Sequence, residues 1–143
     1  MIMPSSTDCE SNFERQVAVL LGASDNLSLD VLIRQGVPLS AIDRVAEYGV
    51  DAGELGIISK IALKRRLNQG KPLTPCEGDK LYRAILATLL ATSIFRNKRK
   101  SDIWLHKPRK AFGGRTALEA TATTPGYKCV VTLLEQLRHG FAA

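Results

Sequence analysis

The stretch Thr74 to Phe95, TPCEGDKLYRAILATLLATSIF, decides the fold. Thr74, Pro75 and Glu77 supply an N-cap, a proline at the first helical position and a carboxylate three residues beyond the cap, which together spell the start of a helix. From there Leu81, Ile85 and Leu89, with Tyr82, Leu86 and Leu90 beside them, recur at helical spacing. They form an apolar stripe wide enough for a core or a dimer seam. Its most apolar part, Ala84 to Phe95, is interrupted by three hydroxyl residues and is too short to span a bilayer. A long helix is expected, followed by the basic run Arg96 to Lys100, RNKRK, which on its own terms is a solvated helix face.

Upstream, the pattern breaks into short pieces. Ser11 and Glu14 make a capping-box pattern ahead of Phe13, Val17, Leu20 and Leu21, so a first helix is expected to run to about Gly22, behind a flexible N-terminus over residues 1–12. Leu29, Leu32 and Ile33 mark a second helix ended by Gly36; Ser40 caps a third that carries Ile42, Val45 and Ala46 and ends at Gly49. Asp51 and Glu54 repeat the capping pattern for a fourth, against which Gly53 and Gly56 count. A basic helix from Lys60 through Asn68 then stops at Gly70 and Pro72. Short helices joined by tight glycine turns are what a helix-turn-helix requires.

Downstream, Ser101 is expected to cap a short helix bearing Trp104, Pro108 to close it, and Gly113-Gly114 to form a turn. Thr116 and Glu119 box the next short helix, and Thr124-Pro125 starts the last, whose Val130, Leu133, Leu134 and Leu137 keep one apolar face until Gly140. No strand pattern or internal repeat appears. The fold class read from the chain is all-α.

Composition bounds the function. An apolar share of 45% and a charged share of 24% are those of an ordinary globular protein, and 143 residues can bury a core without disulfides or metal. Cys9, Cys76 and Cys129 are odd in number and widely spaced, which fits reduced thiols rather than a disulfide framework or zinc ligands. His106 and His139 lack acidic or cysteine neighbours at a metal or triad spacing, so no catalytic residue, metal or cofactor is indicated and an enzyme is disfavoured. Met1 to Asn12 has neither the basic flank nor the apolar core of a secretory signal; a cytoplasmic protein without a membrane partner is expected. Charge is distributed unevenly. Residues 1–59 hold three basic and nine acidic groups, net −6, whereas residues 60–110 hold fourteen basic and three acidic groups, net +11. Clustered cations of this kind are a footprint of phosphate-backbone binding.

The order Trp104-Leu105-x-x-Pro108-x-x-Ala111-Phe112-Gly113-Gly114-Arg115-Thr116-x-Leu118-Glu119, followed by Gly126, Leu133-Leu134 and His139-Gly140, resembles the toxin-binding domain of Xre/MbcA/ParS antitoxins. Two positions depart from that pattern: Ala117 stands where proline is common, and Arg96 where a glycine usually follows the aromatic. More loosely, Gly36-Val37-Pro38 into Ser40-Ala41-Ile42, Ile58 to Arg66, and Leu73-Thr74 to Leu81 look like an Xre-type helix-turn-helix and its link, so the resemblance covers about residues 28–141. It implies a Xre/Cro-like helix-turn-helix DNA-binding domain over residues 13–72 and a toxin-binding domain over residues 73–143. It further implies a type II antitoxin whose partner is a cognate RES-domain toxin that destroys NAD, although some relatives neutralise other toxins. Autorepression at promoter DNA of its own operon, and a homodimer inside a larger complex, go with that architecture.

Two surfaces follow. Packing accounts for Trp104, Phe112, Leu118 and the Leu133 stripe, but less comfortably for Gly113-Gly114-Arg115. Paired glycines permit close backbone approach to another surface, and the guanidinium after them is a directional donor suited to competing for a pyrophosphate site. The toxin-facing candidates are Phe112, Gly113, Gly114, Arg115, Thr116 and Glu119. For DNA, topology nominates Asp51 to Ile58 as the reading helix, yet it carries two carboxylates and no base-reading arginine or amide. The basic helix is better charged, and Ser59, Lys60, Lys64, Arg65, Arg66 and Lys71 are the DNA-facing candidates, holding phosphates rather than reading bases. A stand-alone helix-turn-helix regulator without a toxin is the alternative.

Overall fold

In the computed structural model, residues 6–23 and 28–140 are described, and among them every regular element is helical. The order is α1 (Ser6–Leu20), α2 (Leu29–Gln35), α3 (Ser40–Ala46), α4 (Lys60–Gln69), α5 (Pro75–Phe95), α6 (Lys98–Leu105), a single 3-10 turn (Lys110–Phe112), α7 (Ala117–Ala120) and α8 (Thr124–Arg138). The all-α expectation holds.

Helix α5 begins as its capping sequence dictates: the Thr74 hydroxyl accepts the Glu77 N–H at 3.2 Å and the Glu77 carboxylate accepts the Thr74 N–H at 2.8 Å. It then runs for 21 residues, eleven of them buried, with α1, α2, α6, α7 and α8 packed around it. A helix apolar on nearly all sides is stable only when wrapped in this way. Leu81 and Ile85 keep no exposed surface and Leu89 is buried, so the stripe is core, and its reading as a dimer seam is corrected. Buried residues from Val17 in α1 to Leu134 in α8 make one continuous hydrophobic cluster.

The N-terminal part differs from expectation in three places. Helix α1 starts at Ser6, so Ser11 lies inside it, and of the expected flexible terminus only residues 1–5 fall outside the described residues. Ser40 does not cap α3; its hydroxyl accepts from Arg44, whose Nε also donates to the Leu20 carbonyl at 2.7 Å and ties α3 to the end of α1. Asp51 to Ile58 is a run of turns, not a helix. The Asp51 carboxylate accepts the N–H groups of Gly53 and Glu54 at 2.9 and 3.1 Å, as a helix cap would. Gly56 then adopts φ 71 and the chain folds Val50, Ala52, Ile57 and Ile58 into the core instead of propagating. With only the Asp51 cap bonds, and two glycines, against the cost of helix nucleation, burial of those four side chains decides the conformation.

Helix α4 matches the expected basic helix, capped by Ser59, whose hydroxyl accepts the Ala62 N–H at 3.1 Å, and stopped by Gly70 in the left-handed region. At the other end of α5 the cap of α6 is Asn97, which accepts the Lys100 N–H at 3.0 Å; the expected cap, Ser101, is buried with its hydroxyl 3.2 Å from that of Thr92. No helix among the described residues is long and apolar enough to cross a membrane.

Candidate functional site

The loop between α6 and α7 is built around Trp104. Its ring packs against Phe95 at 6.0 Å between centroids and meets Phe112 edge-on at 6.3 Å, while the Arg109 guanidinium lies 5.0 Å over its face. Edge-to-face aromatic pairs and a cation over an indole each add to simple burial. The loop closes on itself: the Arg109 N–H donates to the Arg115 carbonyl at 3.1 Å, and the Arg109 carbonyl accepts from Phe112 and Gly114 at 3.1 and 2.9 Å. That closure needs Gly113 at φ 64 and Gly114 at φ 85, consecutive left-handed positions that side chains other than glycine disfavour.

Phe112, expected at the partner-facing surface, is 6% exposed and serves chiefly as the loop's anchor. Gly113, Gly114 and Arg115 stand exposed at the tip. Thr116 and Glu119 form the capping box of α7, with the Thr116 N–H donating to Glu119 Oε1 at 2.9 Å and the Glu119 N–H to Thr116 Oγ1 at 3.1 Å. The Thr116 N–H, helped by its hydroxyl and by the Arg115 charge, holds the Glu119 carboxyl below its ordinary range despite some desolvation. It therefore stays ionised through neutral pH. Arg115 and Glu119 line a groove of about 410 Å³ together with Phe112, Ala120, Thr123, Gly126 and Cys129.

Two features shape that groove. Helix α8 starts so close to the end of α7 that a Cβ on Gly126 would lie 1.9 Å from the Ala120 carbonyl oxygen, a contact only glycine avoids. Behind it, Arg83 of α5 is 8% exposed, donates from Nε to the Thr121 carbonyl at 2.8 Å and from Nη2 to the Ala122 carbonyl at 2.9 Å, and is ion-paired with Asp79. Sequence reasoning missed Arg83; its only signal was a cation set in an otherwise apolar stripe.

The second candidate surface is α4. Ser59, Lys60, Lys64, Arg65 and Lys71 are exposed, and no residue of the helix is buried. Arg66 is different. It forms a two-pronged ion pair with Glu77, one arm at 2.9 Å, with both side chains mostly buried. Burial is the largest influence on the Glu77 carboxyl and pushes it up, but the Arg66 bond and the Thr74 N–H and hydroxyl together outweigh it and hold the group below its ordinary range. The same bond raises Arg66. Arg66 thus fastens α4 to the start of α5 instead of standing free for a phosphate, a correction to the expected set.

Residues 90–140 match the family model described as the antitoxin Xre/MbcA/ParS C-terminal toxin-binding domain, a span that contains the whole groove apart from Arg83 behind it. A curated relative, an Xre antitoxin from Pseudomonas putida, is 34% identical over 85 residues, which cover 59% of this chain and 54% of the relative. The chain thus spans about half the length of the curated relative it matches.

Proposed function

We propose, from the premise that this chain is a member of the Xre/MbcA/ParS antitoxin family through its residues 90–140, that it neutralises a cognate toxin by seating the Gly113-Gly114-Arg115 tip and the groove beside it on that toxin. The observation that carries this reading is the tip itself: two left-handed glycines, propped from behind by Phe112 and Trp104, hold an exposed guanidinium at the mouth of a groove. A rigid loop loses little freedom on binding, and a directional donor fits an anion-binding active site. The toxin assigned by the resemblance is a RES-type NAD-degrading enzyme, whose site for a pyrophosphate an arginine can occupy. Promoter DNA of its own operon is the second partner, met by Lys60, Lys64 and Arg65 on α4 and Lys71 just beyond its end, and a homodimer inside the toxin complex would present two such helices to two half-sites.

The test is co-expression with a RES-domain toxin, followed by co-purification and an NAD-depletion assay. Arg115→Ala is expected to leave folding unchanged and weaken inhibition about tenfold to a hundredfold, as loss of a charge-assisted bond of roughly 1.5–3 kcal/mol requires. Full inhibition by the folded variant would remove the tip from the interface. Absence of any co-purifying toxin would favour the stand-alone regulator, which the exposed cations of α4 support equally well.

A further inference from the structure

Residues 96–110 contain seven basic groups and one acid, Asp102, net +6, which equals the charge of the entire chain. The rest of the protein sums to zero. Most of this excess is carried by α6 and the turn after it. The inward face of α6 is set by buried Ser101 and Leu105 and by Trp104, so its orientation is fixed by packing. At 100° per residue Arg99, Lys100 and Ile103 share the outward face of α6, and they are exposed, as are His106, Lys107 and Lys110 in the turn that follows the helix. None of Arg99, Lys100, Lys107 and Lys110 is ion-paired among the described residues.

We propose that the outward face of α6, with the turn after it, is a second contact for the phosphate backbone of duplex DNA, separate from α4. It rests on the reading of the protein as DNA-binding and extends its footprint. The two basic helices cannot be one patch. Arg66 pins α4 to Glu77 in the first turn of α5, whereas α6 starts beyond Phe95, 18 residues or about 27 Å further along that helix at 1.5 Å per residue. Three of the four free cations are lysines, which are depleted from protein interfaces but suit phosphates as point charges. The exposed Ile103, alone, needs no partner to explain it. A single strand would want aromatic platforms, and the aromatic of α6, Trp104, is committed to Phe95, Phe112 and Arg109.

The experiment is a fluorescence-anisotropy titration of the full chain on a labelled promoter duplex and on an unrelated duplex, across 50 to 200 mM salt (about the range in which counterion release is read). The variant R99A/K100A/K107A/K110A is expected to lower the slope of log affinity against log salt by about three to four units on both duplexes, since each neutralised phosphate contributes about 0.9. The charge-keeping variant K100R/K107R/K110R should retain the wild-type slope. A parallel variant, K60A/K64A/R65A, separates this inference from the reading it rests on. If only the α4 variant loses slope, the α6 proposal fails alone; if only the α6 variant does, it stands and the α4 assignment falls; if the wild type binds neither duplex, both fall. A folded α6 variant with the wild-type slope but weakened toxin inhibition would overturn the proposal and give this face to the toxin.

Discussion

Arg83→Met tests whether the groove is held from behind. The methionine fills similar volume without clash, but it leaves the Thr121 and Ala122 carbonyls, bonded at 2.8 and 2.9 Å, without their donor. An orphaned buried acceptor costs about 1–3 kcal/mol, and two of them, less what water recovers at the partly exposed Ala122 end, give about 3 kcal/mol. Asp79 adds little, because its side chain is about half exposed and can rehydrate. Replacing a whole buried ion pair by apolar groups is often neutral, but here the carbonyls belong to the backbone and stay. For a chain of this size about 3 kcal/mol corresponds to roughly 6–12 °C in Tm. Differential scanning calorimetry would measure the shift, and hydrogen exchange would place it, with protection lost first around Thr121 to Gly126. A variant within about 0.5 kcal/mol of wild type, the range of neutral surface changes, with unchanged exchange there, would refute the reasoning.

The Glu77–Arg66 pair predicts a pH signature. Because the folded carboxyl titrates below its ordinary value, its contribution is complete above about pH 4.3 and is lost as pH falls through the lower folded value. Glu77→Gln should therefore lower Tm at neutral pH, with the gap to wild type closing only below about pH 4 in a melting series. Within α4, Lys64→Ala should leave Tm unchanged and lower the salt slope of DNA binding by about one unit. Arg66→Ala should do the reverse, lowering Tm with the slope nearly intact; equal slopes lost by both would show that Arg66 also reaches phosphate.

Capping is a bargain between residues three apart, so it can be read from a sequence without knowing the rest of the molecule. Thr74 with Glu77 and Thr116 with Glu119 were legible for that reason, as were the glycine stops at Gly36 and Gly70, whereas the Ser59 cap of α4 appeared only in the structure. The Gly113-Gly114-Arg115 tip was legible too, as a motif, before its geometry was known. Asp51 to Ile58 marks the boundary of such reasoning. The Asp51 half of its capping pattern forms, yet the segment turns inward because Ala52, Ile57 and Ile58 find the core, a choice made by residues far away in the chain. Partner selection belongs to the same category. Whether Arg66 meets a phosphate or Glu77, whether the α5 stripe seals a core or a dimer, and what a cation at position 83 is for depend on groups 11 to 39 residues distant. Side-chain chemistry says what an arginine can bind; only the packing of α7 and α8 on α5 sets two carbonyls in front of it.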